Sequence, residues 1–199
     1  MKKFLLFATS NKEKEREIIK IIGDIEGYEI KFLSDFGEMQ IAPPEEKGLS
    51  FEENSLLKCK YYKKFFNDFF VAAEDSGLIV DALDGAPGIY SARFNSLASD
   101  LEKIELIIKM LENVPWEKRM AKFLCAITLI EPQGETVTFF GEVEGKIAFE
   151  KKGENGFGYD PIFIPEREKR TFAEMSSEEK NWISHRRRAL VKLKEYLVG

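Results

Sequence analysis

The apolar run Phe69-Phe70-Val71-Ala72, followed at once by Glu74-Asp75-Ser76-Gly77, most constrains what this chain can fold into. Four uninterrupted apolar residues are typical of a strand that is buried on both faces of an α/β sheet. In such sheets, ligand-binding groups gather just beyond the carboxyl ends of the strands. We therefore expect the strand to end at the acids, where adjacent carboxylates suit Mg²⁺. The alternative is an acidic turn, because Asp, Ser and Gly are common turn residues.

Strand and helix patterns alternate in the first half of the chain, and strands dominate the second half. The first half contains expected strands at residues 4–9, 29–33 and 69–75, and expected helices at 13–22, 50–66 and 98–111. The second half adds strands at 121–130, 137–149 and 162–164 and a helix at 185–197. Gly134 between two of these strands indicates a hairpin. We predict an α/β fold with a mixed, twisted sheet flanked by helices and an antiparallel hairpin extension.

Length and charge limit the class of protein. The 199 residues suffice for one sizeable core, and we interpret residues 1–199 as a single domain. With 30 Lys and Arg against 35 Asp and Glu, the formal net charge is −5, which argues against nucleic acid as a partner. No segment is long enough to span a membrane. Cys59 and Cys125 show no metal-ligand spacing, so we expect free thiols in the reducing environment of the cytoplasm.

The polar segment from Thr9 to Lys14 separates the first strand from the first helix. A helix N-terminus offers free N–H groups to a phosphate, and Lys14 would add a positive charge. A plain helix cap with solvated lysines is the alternative interpretation.

A second polar segment contains Glu46, a candidate metal ligand, and is followed by Ser50-Phe51-Glu52-Glu53, which predicts a capping box at the start of a helix. Asn54 and Lys58 are four residues apart and so share one face of that helix. Taken alone, the segment is also compatible with an ordinary capped and charged helix.

Two later segments combine aromatic, glycine and basic residues. In Gly156-Phe157-Gly158-Tyr159-Asp160, glycines would allow a ring to lie flat against a planar ligand. The alternative is a tight hairpin with a buried Phe. His185, the single histidine, precedes Arg186-Arg187-Arg188. Three arginines together in an acidic protein indicate an anion or carbonyl site. The alternative is a basic start to a surface helix, although cations at a helix start oppose the helix dipole. Together the four segments supply the groups that a nucleotide site needs.

In chain order, these segments resemble the inosine triphosphate pyrophosphatases, also called dITP/XTP pyrophosphatases or Ham1-like proteins. The resemblance runs from about Phe4 to Tyr196. The matching motifs lie at residues 9–14, 50–58, 74–78, 85–93, 156–161 and 184–186. The resemblance implies a fold of two lobes around a central cleft, a homodimer, and Mg²⁺-dependent hydrolysis of non-standard purine nucleoside triphosphates to the monophosphate and pyrophosphate.

The resemblance also implies roles for single residues. Asp75 would be the catalytic proton acceptor and would bind Mg²⁺ together with Glu46. The residues implied to bind substrate are Thr9, Ser10, Asn11, Lys12, Glu13, Lys14, Lys58, Ser76, Phe157, Gly158, Tyr159, Asp160, Lys180, His185 and Arg186. Phe157 would stack on the purine, while His185 and Arg186 would read its 6-oxo edge. Glu74 stands where many members have Asp, which leaves its role beside Asp75 open.

Two alternatives to this function remain open from the sequence. One is a nucleotide-binding or RNA-binding module without turnover. The other is a related pyrophosphatase that acts on pyrimidine or methylated nucleotides.

Overall fold

A computed structural model describes residues 2–37, 41–97 and 99–199 and confirms the α/β class. The strands are β1 (Lys3–Phe7), β2 (Tyr28–Phe32), β3 (Phe70–Val80), β4 (Met120–Ile130), β5 (Thr136–Ile147) and β6 (Phe163–Pro165). The helices are α1 (Lys12–Ile22), α2 (Phe51–Lys63), α3 (Asp100–Met110), α4 (Ser177–Ile183) and α5 (His185–Val198). The six strands form one sheet in the order β2-β1-β3-β4-β5-β6.

The sheet is mixed, as its connections require. β1 pairs in parallel with β2 and β3, and helical connections link these strands in sequence. β4 and β5 are neighbours joined by residues 131–135, where the Glu131 N–H donates to the Glu135 carbonyl at 2.9 Å. So short a connection suits only an antiparallel pair, which agrees with the predicted hairpin. β5 then pairs antiparallel with β6.

The expected end of the third strand was wrong. β3 continues through the acids to Val80, so Glu74 and Asp75 lie within the strand and not beyond its end. Apolar residues resume at Leu78, which is fully buried. Gly77 is not a turn residue: a Cβ there would lie 2.3 Å from the Ser91 hydroxyl oxygen, so the glycine allows a close approach of that segment.

The sequence interpretation also omitted α4. This helix has only seven residues, too few to show a 3.6-residue periodicity. Its start does carry a recognisable signal, because Ser176 and Glu179 form a capping box. No helix within residues 2–37, 41–97 and 99–199 is long and apolar enough to cross a membrane.

The chain divides into two compact units with separate cores. Unit 1 comprises the chain up to Asp75, Cys125–Gly141 and Arg186–Gly199, and unit 2 comprises Ser76–Leu124 and Glu142–His185. Unit 2 packs buried side chains of α3, β6 and neighbouring segments, among them Leu78, Ile104, Ile107, Phe163 and Phe172.

In unit 1, β1 and β3 are buried on both faces. Along β3, Phe70 and Ala72 belong to a core with Ile18 of α1 and Leu190 of α5. Val71 and Ala73 belong to a second core with Cys59 and Tyr62 of α2. Successive side chains of a strand point to opposite faces. Glu74 therefore continues the face covered by α1 and α5, and Asp75 continues the face covered by α2.

Candidate functional site

Glu74 is bound by residues of α1 and α5. The Arg186 guanidinium donates to both carboxylate oxygens of Glu74, from Nε at 2.8 Å and from Nη2 at 3.0 Å. The Lys14 ammonium lies 2.8 Å from Glu74 Oε1, and Arg186 Nη1 also donates to Glu17. We call these four residues, Lys14, Glu17, Glu74 and Arg186, the Arg186 cluster.

The charges of the Arg186 cluster balance. Burial alone would raise the pKa of the Glu74 carboxyl, but Arg186 and Lys14 hold it well below its usual value. Burial likewise opposes the charge on Arg186, but Glu74 and Glu17 raise its pKa well above the usual value. Two carboxylates thus face two cationic side chains, and Glu74 and Arg186 keep each other charged. Such an arrangement holds helices to a strand and leaves little reactivity to Glu74.

Asp75 is bound by residues of α2. The Lys58 ammonium donates to Asp75 Oδ1 at 3.0 Å and to Glu46 Oε1 at 2.9 Å. The Asn54 amide donates to Asp75 Oδ2 at 3.2 Å. We call these residues, Glu46, Asn54, Lys58 and Asp75, the Lys58 cluster.

The Lys58 cluster shifts its two titrating partners in the same direction. Burial raises the pKa of the Asp75 carboxyl, and the opposing pull of Lys58 does not cancel this effect. For Lys58, burial lowers the pKa, but the two carboxylates outweigh it and the pKa is raised. Asp75 therefore holds a proton more readily than an ordinary aspartate, which is the direction that favours a general base.

Two carboxylates sharing one ammonium fit a magnesium site of the usual kind. Mg²⁺ is commonly held by one or two carboxylates and completes its shell with water and substrate phosphates. Among the residues that the structure describes, no group of three or more His, Cys, Asp or Glu side chains could hold a metal ion by itself. Glu46 and Asp75 could thus supply two ligands of such an ion, and water or substrate phosphates would supply the others.

A hydroxyl chain anchors the helix that carries this cluster. Ser55 of α2 donates to the Glu52 carbonyl, and its oxygen lies 2.7 Å from the hydroxyl of Thr128 on β4. Thr138 of β5 lies a further 3.0 Å away. Ser55 and Thr128 are fully buried, so the bond fixes the rotation of α2 and directs Asn54 and Lys58 toward β3.

The segment from Thr9 to Lys14 forms a helix cap in this structure. The Asn11 side chain accepts from the N–H groups of Glu13 and Lys14, at 2.9 and 3.1 Å. Thr9 accepts from the Asn11 N–H, and Lys12 pairs with Glu15 at the surface. Two of the N–H groups that the sequence assigned to phosphate are therefore bonded to the cap, and phosphate binding by Thr9, Ser10, Asn11, Lys12, Glu13 and Lys14 stays a prediction.

In unit 2, Phe157, Asp160 and Lys180 lie together. The Lys180 ammonium is 2.5 Å from Asp160 Oδ2 and 4.7 Å from the centre of the Phe157 ring. The Phe157 N–H donates to the same Asp160 oxygen at 2.9 Å. Gly156 has φ +74°, and a Cβ there would lie 2.1 Å from that oxygen, so this turn requires glycine. The structure thus brings the aromatic ring and buried carboxylate of this loop together with a cation from α4.

Other residues predicted to contact the purine base bind groups within unit 2. The buried Tyr159 hydroxyl donates to the Ser91 carbonyl, and the Gly158 N–H donates to Asp100, both at 2.9 Å. The His185 ring stacks on Phe123 with their centres 4.8 Å apart. Substrate contacts by Gly158, Tyr159, Lys180 and His185 stay predictions, as does that of the partly buried Ser76.

Arg186 follows His185 in sequence but belongs to unit 1. Only 1% of its surface is exposed, and the guanidinium binds Glu74 and Glu17. This placement gives Arg186 a structural role that the sequence interpretation lacked. Its predicted contact with the 6-oxo edge of a base is not tested by these contacts.

Two buried partners were absent from the set predicted by sequence. Glu17 lies three residues after Lys14, on the same side of α1, and this spacing is a signal that sequence alone provides. Asn54 lies four residues before Lys58, but only the fold shows that its side chain reaches Asp75.

The two cysteines are free and buried, as predicted, and burial raises the pKa of both thiols, that of Cys59 to about 12.

Comparisons with known proteins agree on one family. Residues 5–196 match the model of the Ham1 family. A protein named dITP/XTP pyrophosphatase from Halalkalibacterium halodurans is 44% identical over 198 residues, which cover 99% of this chain and 100% of that protein. A protein of the same name from Dictyoglomus thermophilum is 43% identical over 98% of this chain and 95% of its own length.

Solved structures give the same result. The Ham1 protein of Staphylococcus aureus matches with a TM-score of 0.85 and 41% identity, covering 98% of both chains. The HAM1 protein of Coxiella burnetii matches with a TM-score of 0.87 and 36% identity, again over 98% of both chains. Since the sequence motifs, the family match and the fold coincide over nearly the whole length, this chain belongs to the Ham1 family.

Proposed function

We propose that this protein hydrolyses non-standard purine nucleoside triphosphates, namely dITP, ITP, XTP and dXTP, to the nucleoside monophosphate and pyrophosphate. The reaction depends on Mg²⁺ and removes these nucleotides from the cellular pool. The names of the curated relatives support a hydrolase that acts on phosphoric anhydrides. The observation that carries the proposal is the Lys58 cluster, in which Glu46 and Asp75 share one ammonium.

Asp75 is the general base of the proposed reaction. It takes a proton from a water molecule that attacks the α-phosphorus, and the bond from that phosphorus to the bridging oxygen of pyrophosphate breaks. The raised pKa of Asp75 favours this role, because a base works best when its pKa approaches the working pH. Lys58 and Asn54 each bind one Asp75 oxygen and so fix the direction of the carboxylate.

Glu46 and Asp75 would hold Mg²⁺, which when bound neutralises charge on the phosphate oxygens. Lys58, which is already beside both carboxylates, adds a positive charge for the phosphates. Lys14 supplies a second positive charge for the phosphates, and its ammonium is held in place by Glu74. The residues Thr9 to Lys14 complete the proposed phosphate-binding set.

Base selection is assigned to residues of unit 2. Phe157 offers a ring face for stacking, which contributes about 1–3 kcal/mol per base. Lys180 and His185 offer donors for a 6-oxo group. Adenine presents an amino donor at that position, and leaving buried donors unpaired costs about 1–3 kcal/mol. Selection of 6-oxo purines follows from this mismatch.

We further propose a cytoplasmic homodimer. Buried free thiols suit a reducing compartment, and the family resemblance implies the dimer. Light scattering coupled to size exclusion measures the mass directly. A mass near 23 kDa, the value for one chain, would contradict the dimer.

The test of the function is pyrophosphate release from a panel of triphosphates, with Mg²⁺ or with EDTA. We expect dITP and XTP to be cleaved far faster than ATP, GTP or dUTP, with monophosphate and pyrophosphate formed in equal amounts. Asp75→Asn serves as the inactive control. Release of orthophosphate without pyrophosphate, full activity in EDTA, or tight binding without turnover would each contradict the proposal.

A further inference from the structure

The Asn54 side chain binds both Asp75 and the backbone of Gly48, two residues after Glu46. Its Nδ2 donates to Asp75 Oδ2 at 3.2 Å, and its Oδ1 accepts from the Gly48 N–H at 2.8 Å. A carboxylate can only accept and a backbone N–H can only donate, so these two partners leave one possible orientation of the amide. Asn54 is fully buried, which makes either bond costly to lose.

Gly48 lies two residues after Glu46 and is held close to α2. A Cβ on Gly48 would lie 2.7 Å from Asn54 Oδ1 and 2.7 Å from the Glu53 Cβ, so only glycine permits this approach. The next N–H, that of Leu49, donates to the Glu53 carboxylate at 2.7 Å. The capping box predicted from the sequence is therefore only half formed. The Ser50 side chain accepts from the Glu53 N–H, but the Glu53 carboxylate binds the N–H of Leu49. Two successive N–H groups fasten the loop that carries Glu46 to the first turn of α2.

We propose that Asn54 is a positioning residue that sets Glu46 and Asp75 at a fixed distance for a shared divalent cation. Lys58 joins the same two carboxylates through their charges, but its ammonium sits on a flexible stem. Asn54 joins them through a short, buried amide: one end orients Asp75, and the other end holds the backbone that positions Glu46. This proposal rests on the proposed function for the identity of the reaction and for the metal, but not for the hydrogen bonds that Asn54 makes.

The experiment compares Asn54→Ala, Asn54→Asp and the control Glu53→Ala. Asn54→Ala removes both bonds. Asn54→Asp keeps an acceptor for the Gly48 N–H but offers no donor to Asp75. Glu53→Ala releases the neighbouring Leu49 N–H without touching Asp75. For each variant we would measure kcat and KM for dITP, Mn²⁺ binding to the nucleotide-free protein by electron paramagnetic resonance, exchange of the Gly48 amide, and Tm.

Loss of a group that orients a metal ligand typically lowers activity or metal affinity by 10- to 100-fold. For Asn54→Ala we expect kcat and Mn²⁺ affinity to fall by roughly this factor, with little change in KM, and faster exchange at Gly48. Asn54→Asp should lose kcat to a similar extent while Gly48 stays protected. Glu53→Ala should lower kcat and Mn²⁺ affinity much less than Asn54→Ala does, because Glu53 binds only the Leu49 N–H and Asn54 also binds Asp75.

Three results would overturn the proposal: wild-type kcat and Mn²⁺ affinity in Asn54→Ala, equal losses in Glu53→Ala, or losses that follow Tm alone. If the wild-type protein cleaves no dITP or XTP, the proposed function fails instead. Mn²⁺ binding and Gly48 exchange then still decide whether Asn54 positions the two carboxylates.

Discussion

Glu74 and Asp75 are adjacent in the chain, yet different helices bind them, with different results. In the Arg186 cluster, Glu74 meets two cations and its pKa is held well below the usual value. In the Lys58 cluster, Asp75 shares a single ammonium with Glu46 and its pKa is raised. The named residues of the first cluster are neutral in sum, whereas those of the second carry an excess negative charge. Because adjacent residues of a strand point to opposite faces, Glu74 belongs to a structural ion cluster and Asp75 to a candidate catalytic site.

The largest effect is expected from Asp75→Asn, which keeps the shape of the side chain but removes the base. General-base catalysis contributes about 10²–10⁴-fold, so kcat for dITP should fall by at least 10². Tm should not fall, because a buried charge is removed. Glu74→Gln is the matched comparison: it should lower Tm, while the folded protein keeps most of its kcat. An Asp75→Asn enzyme with more than about a tenth of wild-type kcat would contradict the division of roles.

Arg186→Ala tests the Arg186 cluster. The substitution leaves Glu74 and Glu17 buried with fewer positive partners, and breaking a buried ion pair in this way costs about 3–5 kcal/mol. Urea unfolding measures the loss. Arg188→Ala, at an exposed position of the same helix, should cost at most about 1 kcal/mol. Equal losses for the two arginines would show that the Arg186 cluster is not the stabilising feature.

Glu46→Gln tests the metal side of the Lys58 cluster. We expect the Mg²⁺ concentration for half-maximal rate to rise by roughly 10- to 100-fold, with the rate largely recovered at saturation. Glu45→Gln is the control, since Glu45 lies in the same loop but pairs with Lys47 at the surface. Superimposable Mg²⁺ titrations for Glu46→Gln and wild type would remove Glu46 from the metal site.

The smallest expected effect is on the pH dependence of stability. It appears mainly in acid and has opposite signs for Glu74 and Asp75. The folded-state pKa of Glu74 is depressed, so its stabilisation is present above the unfolded value of about 4.3 and is lost as pH falls through the folded value. The deficit of Glu74→Gln relative to wild type should therefore shrink on acidification.

Asp75 behaves in the opposite way. Its folded-state pKa is raised, so its charge opposes folding at neutral pH and ceases to do so as pH falls through that value. Any gain in stability from Asp75→Asn should therefore fade in acid. Urea unfolding between pH 7 and pH 3 measures both slopes, and slopes of the same sign would contradict the comparison.

The sequence predicted the element types well because periodicity and caps are local signals. Runs such as those of β1 and β4, and the apolar stripe of α1, depend on neighbours a few residues away. The same local reasoning ended β3 too early, since it interpreted Glu74 to Gly77 as a turn. Burial of Glu74 by partners from α1 and α5, far away in sequence, is what allows acids inside this strand.

By itself, the sequence determined the α/β class, the family, and the residue types that a nucleotide site needs. It could also place Asn54 and Lys58 on one helix face, because that follows from helical geometry. Only the tertiary structure decided that Glu74 is neutralised by two cations and that Asp75 shares the Lys58 ammonium with Glu46. The reason is that the partners of the two acids come from separate helices. The same holds for Arg186: its basic surroundings in sequence suggested an anion or carbonyl site, whereas in the fold its buried guanidinium binds two carboxylates of the protein itself. Charge pairing between distant segments depends on which faces of a strand they cover, and no local pattern carries that information.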